Sequence, residues 1–183
     1  LWDRYMKVMI DNKVPGLILD IRVNPGGDGG MASNFAGYFF DKEITLNKRS
    51  YYNERTGKFE YLDYPDQIKP APMLYSGKVA LLVSPDCVSA CEGFAYEMTQ
   101  QGRAIVVGQY PTAGGYGDVL LGQFKLPDGL TIQFPTGRSE TPDGKVLIEG
   151  VGIAPTLTVP VTEKDATGQE DAVLNAAIQA LSK

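Results

Sequence analysis

Ser89 stands in the segment Val88-Ser89-Ala90-Cys91-Glu92-Gly93-Phe94-Ala95, after an apolar run at residues 78–84 and before Phe94, Ala95 and Met98 at helical spacing. The pattern predicts a strand that hands over to a helix at the serine. A hydroxyl at such a junction faces unpaired backbone N–H groups and the positive end of the helix dipole. The same place suits the oxyanion that develops in acyl transfer. It also suits a plain helix N-cap, with Glu92 three residues on completing a capping box, and the local pattern by itself favours the cap. A nucleophilic serine needs a base, and the chain has no His. Ser–His chemistry confined to these residues is therefore excluded, and a triad needs its base from a segment outside them.

Cys87 and Cys91, the two cysteines of the chain, flank Ser89 one helical turn apart. With no His beside them they make a poor metal site. They are expected to be two small buried residues packed around the turn. A local disulfide requires Cys87 to lie outside the helix at a suitable Cα distance. A second candidate loop, Asn24-Pro25-Gly26-Gly27-Asp28-Gly29-Gly30, follows an apolar β-branched run at residues 17–23. Its glycines lack the G-x-G-x-x-G register and any Walker lysine, which argues against nucleotide binding.

The elements that must position these residues are legible in outline. Residues 1–12 read as a helix, 17–23 as a central strand, 31–40 as a helix, 78–84 as a strand and 90–101 as a helix. Residues 103–108 read as another strand, followed by the glycine-rich turn 109–118. Residues 119–126 and 130–135 read as a hairpin around Pro127-Asp128-Gly129. Residues 138–144 read as a loop, 157–161 as a strand, and 171–181 as a closing amphipathic helix. Residues 41–77 differ, with Tyr51, Tyr52, Tyr61 and Tyr64 among charges and Pro65, Pro70 and Pro72 as breakers. A strand pair around 44–62 and a Pro-rich connector are expected there, as an insertion packed on the core or a flap facing a ligand. Alternating strands and helices argue a layered α/β domain. At 183 residues, 43% hydrophobic and 21% charged, the chain fits one globular domain. A net charge of −5 gives no basic footprint for nucleic acid, and no apolar run reaches the length of a membrane span. No metal or cofactor is expected.

Four blocks carry a specific resemblance: residues 16–27, with Asn24-Pro25-Gly26-Gly27; residues 88–92, Val-Ser-Ala-Cys-Glu; residues 102–108; and residues 149–155, Glu-Gly-Val-Gly-Ile-Ala-Pro. In this order, over nearly the whole chain, they resemble the carboxyl-terminal processing proteases of peptidase family S41. The resemblance implies a ClpP/crotonase-like spiral of ββα units. It makes Ser89 the nucleophile, gives one oxyanion N–H to Ala90 and assigns the other to Gly26 or Gly27. Glycine lets backbone approach a tetrahedral intermediate closely, and a single well-aimed donor contributes about 3 kcal/mol to such a transition state.

One branch of that family activates its serine with a Lys after the strand that follows the helix. Here that position falls in residues 111–116, at Gly115, and holds no Lys. A Ser–His–Glu branch, similar to the tricorn core protease, fits better. Glu149 then orients a base supplied by an upstream segment, and an accompanying PDZ domain is also expected to lie outside these residues. The competing role for Glu149 is that of a surface turn residue. The resemblance implies an endopeptidase acting on unfolded or C-terminal polypeptide segments in the periplasm or outside the cell. The alternative is an inactive peptide-binding relative. Asp20 is expected to be a buried partner of Arg22 or Arg103, Asp118 a turn cap, and the tyrosine cluster a packed edge or a peptide groove.

Overall fold

The computed structural model describes residues 1–141 and 143–183. In chain order the elements are α1 (Trp2–Asp11), β1 (Gly16–Asp20), α2 (Gly29–Ala36), β2 (Ile44–Thr45), β3 (Lys48–Asn53), β4 (Lys58–Tyr61), β5 (Gln67–Ile68) and β6 (Lys78–Leu82). They continue with α3 (Ala90–Thr99), β7 (Ile105–Gly108), β8 (Gln123–Lys125), β9 (Thr131–Gln133), β10 (Gly137–Glu140), β11 (Leu157–Thr158), α4 (Glu163–Ala166) and α5 (Ala172–Leu181).

The centre is a four-stranded parallel sheet in the order β1-β6-β7-β11. Parallel strands need crossovers that cover both faces, so their sequences read as apolar throughout. β6 obeys this rule. Val79 and Leu81, with Val83 just beyond, point to one face, where Phe94, Ala95 and Met98 of α3 pack with Phe39 and Met6. Ala80 and Leu82 point to the other face, where Val107 and Val159 meet Val173 and Ala177 of α5. The α/β reading therefore holds, with helices on both sides of one parallel sheet. Trp2 of α1 stacks on Phe35 of α2 with ring centroids 4.8 Å apart, which ties the first helix to the rest.

Residues 41–77 supply strands of two small antiparallel sheets, separate from the central one. β3 and β4 form an antiparallel hairpin, and β2 pairs with β5. Leu46 and Ile68 are buried in the core, so this region is anchored rather than loose. The expected loop at 138–144 is corrected in part. β10 spans Gly137–Glu140 and pairs with β3 through Arg138↔Ser50 and Ser139↔Arg49. Its sequence is polar, and its buried Glu140 is held by Tyr61 and by Arg138 at 2.5 Å, so the usual apolar alternation is missing. Residue 142 of that stretch lies outside the described residues. β1 also ends at Asp20, short of the expected Val23. Asp20 is exposed, not buried; it pairs with Arg22 at 2.6 Å, and Arg22 reaches on to Asp171 at the start of α5. Arg103 instead donates to the carbonyls of Phe39, Tyr75 and Gly77. No helix among the described residues is long and apolar enough to cross a membrane.

One acid inside the fold has a measurable consequence. Glu97 of α3 is buried at 5% exposure, and its Oε1 takes a 2.5 Å hydrogen bond from Ser33 of α2. Burial raises its pKa to about 7, against the lowering effect of the Ser33 hydrogen bond. A carboxyl whose folded pKa is raised binds more protons folded than unfolded, so it favours folding below the unfolded value and loses that contribution as pH rises towards 7. Glu97→Gln is expected to remove this loss. Thermal melts of the variant and the parent should converge near pH 4.5 and separate by about 1–3 kcal/mol in the variant's favour at pH 8.

Candidate active site

All strands of a parallel sheet present their C-terminal ends on one edge, so the loops that leave them gather there. Three such loops meet in this chain: residues 21–28 after β1, residues 83–89 after β6 and residues 109–118 after β7. Backbone hydrogen bonds stitch them together. Val88 N–H donates to the Asn24 carbonyl at 3.0 Å, and Ala113 N–H donates to the Cys87 carbonyl at 3.1 Å.

Ser89 is the half-buried residue that starts α3, with φ 59° and ψ −121°. A non-glycine residue in this region is strained by about 1–3 kcal/mol and persists only where its surroundings hold it. A sharp strand-to-helix turn of this kind lifts a side chain clear of the backbone, as in the nucleophile elbow of the α/β-hydrolase fold. The first loop approaches it so closely that Gly26 admits no side chain. A Cβ there would lie 2.7 Å from the Val88 carbonyl oxygen and 2.8 Å from Ser89 Cβ.

Glu92 holds this geometry. It is fully buried, and its carboxylate accepts four hydrogen bonds. Ser89 N–H reaches Oε2 at 3.0 Å, so the acid's half of the capping box is present. Thr112 Oγ1 and Gly114 N–H each reach Oε1 at 2.7 Å, and Gly115 N–H reaches Oε2 at 2.9 Å. Thr112 Oγ1 in turn accepts from Ile153 N–H at 2.7 Å, and Gly150 N–H donates to the Gly114 carbonyl at 2.8 Å. Gly114 must be glycine, because φ is +74° and a Cβ would lie 2.9 Å from Val151 N. A buried carboxylate is tolerated only when its oxygens are satisfied, and here the donors come from the serine turn and the third loop.

The backbone donors around Ser89 are not equivalent. Gly26 N–H is taken by the Asn24 side chain at 2.9 Å. Ala90 N–H and Gly27 N–H have no protein partner among the described residues, and both line hollows that flank the serine. One hollow, about 300 Å³, is walled by Ser89, Ala90, Gly27, Asp28, Arg49, Tyr116 and Asp118. The other, also about 300 Å³, is apolar, with Trp2, Leu19, Met31, Phe35 and Phe94 in its walls. Gly27 and Ala90 belong to both, so the two free donors sit between the cleft and the apolar hollow.

Glu149 is exposed and does not line either hollow. Its Oε2 accepts from the N–H groups of Tyr116 at 2.7 Å and Gly117 at 2.5 Å, directly behind the cleft wall. Asp118 caps its turn as expected, accepting from Leu120 N–H at 2.8 Å, and also holds the Tyr51 hydroxyl. None of Tyr51, Tyr52, Tyr61 or Tyr64 lines the two hollows, and Tyr52, Tyr61 and Tyr64 are exposed. Tyr116, Arg49 and Asp28 were not legible as cleft residues, because only the meeting of distant loops brings them there. Burial pushes the Tyr116 phenol up to about 12.

The expectation of two unlinked cysteines is corrected. Cys87 and Cys91 are buried as expected but joined as a disulfide with a Cα–Cα distance of 5.5 Å. Cys87 lies before the first residue of α3, so the spacing that a continuous helix would impose does not apply.

The family model "Peptidase family S41" matches residues 2–159. Among solved structures, a candidate peptidase from Parabacteroides merdae ATCC 43184 is 22% identical with a TM-score of 0.80, over 99% of this chain and 56% of that one. Mature CPAF in complex with lactacystin is 18% identical with a TM-score of 0.74, over 99% of this chain and 45% of that one. The photosystem II D1 C-terminal processing protease is 22% identical with a TM-score of 0.66, over 86% and 38%. At these identities the likeness establishes the fold, and the chain spans about half the length of the structures it resembles.

Replacing Glu92 by Gln turns an –NH2 group towards N–H donors and leaves buried polar groups unpaired. We expect a loss of about 2–4 kcal/mol, read as a fall in Tm of roughly 5–15 °C. Gln at position 97 on the same helix is expected to cause no such loss at neutral pH.

Proposed function

The chain belongs to peptidase family S41, and from that membership we propose that it is the core of a serine peptidase whose acyl-enzyme forms at Ser89. The observation that carries this reading is the strained Ser89 turn with the free N–H groups of Ala90 and Gly27 beside it. Ser89 Oγ attacks the peptide carbonyl, and Ala90 and Gly27 receive the oxyanion. Gly26 shapes the turn and is not the second donor, since its N–H is committed to Asn24.

The general base comes from outside these 183 residues. The chain has no His, and Arg49, the one cation lining the cleft among the described residues, does not deprotonate in proteins. In this reading Glu149 orients such a base. Its Oε2 pins the cleft wall, and its Oε1 has no protein partner among the described residues. The apolar hollow beside the oxyanion donors suits an uncharged apolar side chain on the acyl side of the scissile bond. Polypeptide is the substrate class. The disulfide supports an oxidising compartment, the periplasm or the cell exterior.

A second reading has one observation in its favour: the chain has no His, and no side chain among the described residues hydrogen-bonds the Ser89 hydroxyl. On that reading the chain binds peptide without cleaving it, saturably and with no change on Ser89→Ala.

The full-length protein is expected to react with a fluorophosphonate probe and to lose that reaction on Ser89→Ala; a full-length protein that is folded and unlabelled contradicts the proposal. With peptide libraries, Leu or Phe on the acyl side is expected to exceed Asp or Lys in kcat/KM. Met31→Glu, at an exposed wall of the apolar hollow, should cut that preference roughly 10-fold or more.

A further inference from the structure

We propose that the Cys87–Cys91 disulfide is a positioning device for the nucleophile, so that the reactivity of Ser89 depends on the bridge being closed. The inference rests on Ser89 being the nucleophile. The bridge closes a short ring with Ser89 at its centre and Val88 and Ala90 on either side. Loop closure this short removes less denatured-state entropy than a long crosslink does, so its main consequence is local. Both cysteines are buried, at 0% and 3% exposure, where two thiols of the same volume would also pack.

The bridge adds a covalent limit on the backbone between two points that bear on the site. Cys87 carries the carbonyl that receives Ala113 N–H from the third loop, and its neighbour Val88 donates to Asn24 of the first loop. Cys91 lies in the first turn of α3, next to the Ala90 N–H, and lines the apolar hollow. The residue held between them has φ 59°, a conformation a serine leaves readily when its constraints are released. Glu92 fixes Ser89 N–H from one side of the turn. The disulfide fixes the chain that enters it. Opening the bridge frees Ser89 to relax and turns Ala90 N–H away from the oxyanion position.

Reduction by dithiothreitol is the direct perturbation. One reagent thiolate attacks a cysteine sulfur, the other cysteine leaves as thiolate, and the reagent's second thiol displaces the mixed disulfide. Two electrons and two protons pass to the protein, giving two cysteines and one oxidised, cyclic dithiothreitol.

The test is the fluorophosphonate reaction of the full-length protein, separated into kinact and KI, for the oxidised form, the dithiothreitol-reduced form and Cys87→Ala/Cys91→Ala. Positioning predicts a fall in kinact of at least tenfold in the last two, KI within twofold, an unchanged far-ultraviolet circular dichroism spectrum, and recovery on reoxidation of the reduced form. Equal kinact in the oxidised and reduced forms overturns the inference and leaves the peptidase reading intact. Loss of the folded spectrum on reduction also overturns it, making the bridge a staple of the fold. An oxidised protein that is folded and unlabelled overturns the peptidase reading, and the inference with it.

Discussion

The site depends on one buried carboxylate. Glu92 has no cation beside it among the described residues and meets its need for donors with three backbone N–H groups and one hydroxyl. Because those donors come from two different loops, satisfying the acid and assembling the site are the same event. Any arrangement that separates the serine turn from residues 112–115 leaves a desolvated carboxylate unpaired, which costs several kcal/mol. The strain at Ser89 is tolerable in part for the same reason, since its N–H is one of the four donors.

The parallel sheet does the coarse positioning. With β1, β6 and β7 adjacent and in register, their following loops have no choice but to leave on the same edge. Glycine then sets the distances. Gly26 lets the first loop touch Ser89, and Gly114 lets the third touch residues 150–152. The outcome is two free N–H groups, on Gly27 and Ala90, between a polar cleft and an apolar hollow.

Much of this was legible because it is local. The apolar strands, the glycine loops and the amphipathic α5 follow from period and composition, and Ser89 with Glu92 three residues on announced the helix start. What was not legible is what distance in sequence hides. The capping box identified one of the four bonds Glu92 accepts, since the rest come from residues 112–115. β10 escaped notice because Gly-Arg-Ser-Glu has no apolar face and becomes a strand only by pairing with β3. The C-x-x-x-C spacing could not decide the disulfide, because the Cα distance turns on whether Cys87 belongs to the helix. Glu97 gave no signal at all: an acid on a helix usually faces solvent, and this one is turned inward onto Ser33.

The most direct measurement is a crystal structure of the full-length protein with a fluorophosphonate bound. The account predicts a phosphonyl group on Ser89 Oγ, its oxygen within about 3 Å of the N–H groups of both Ala90 and Gly27, and the four hydrogen bonds to Glu92 unchanged. A phosphonyl oxygen turned away from both donors, or a Glu92 that has let go of residues 112–115 in the adduct, contradicts it.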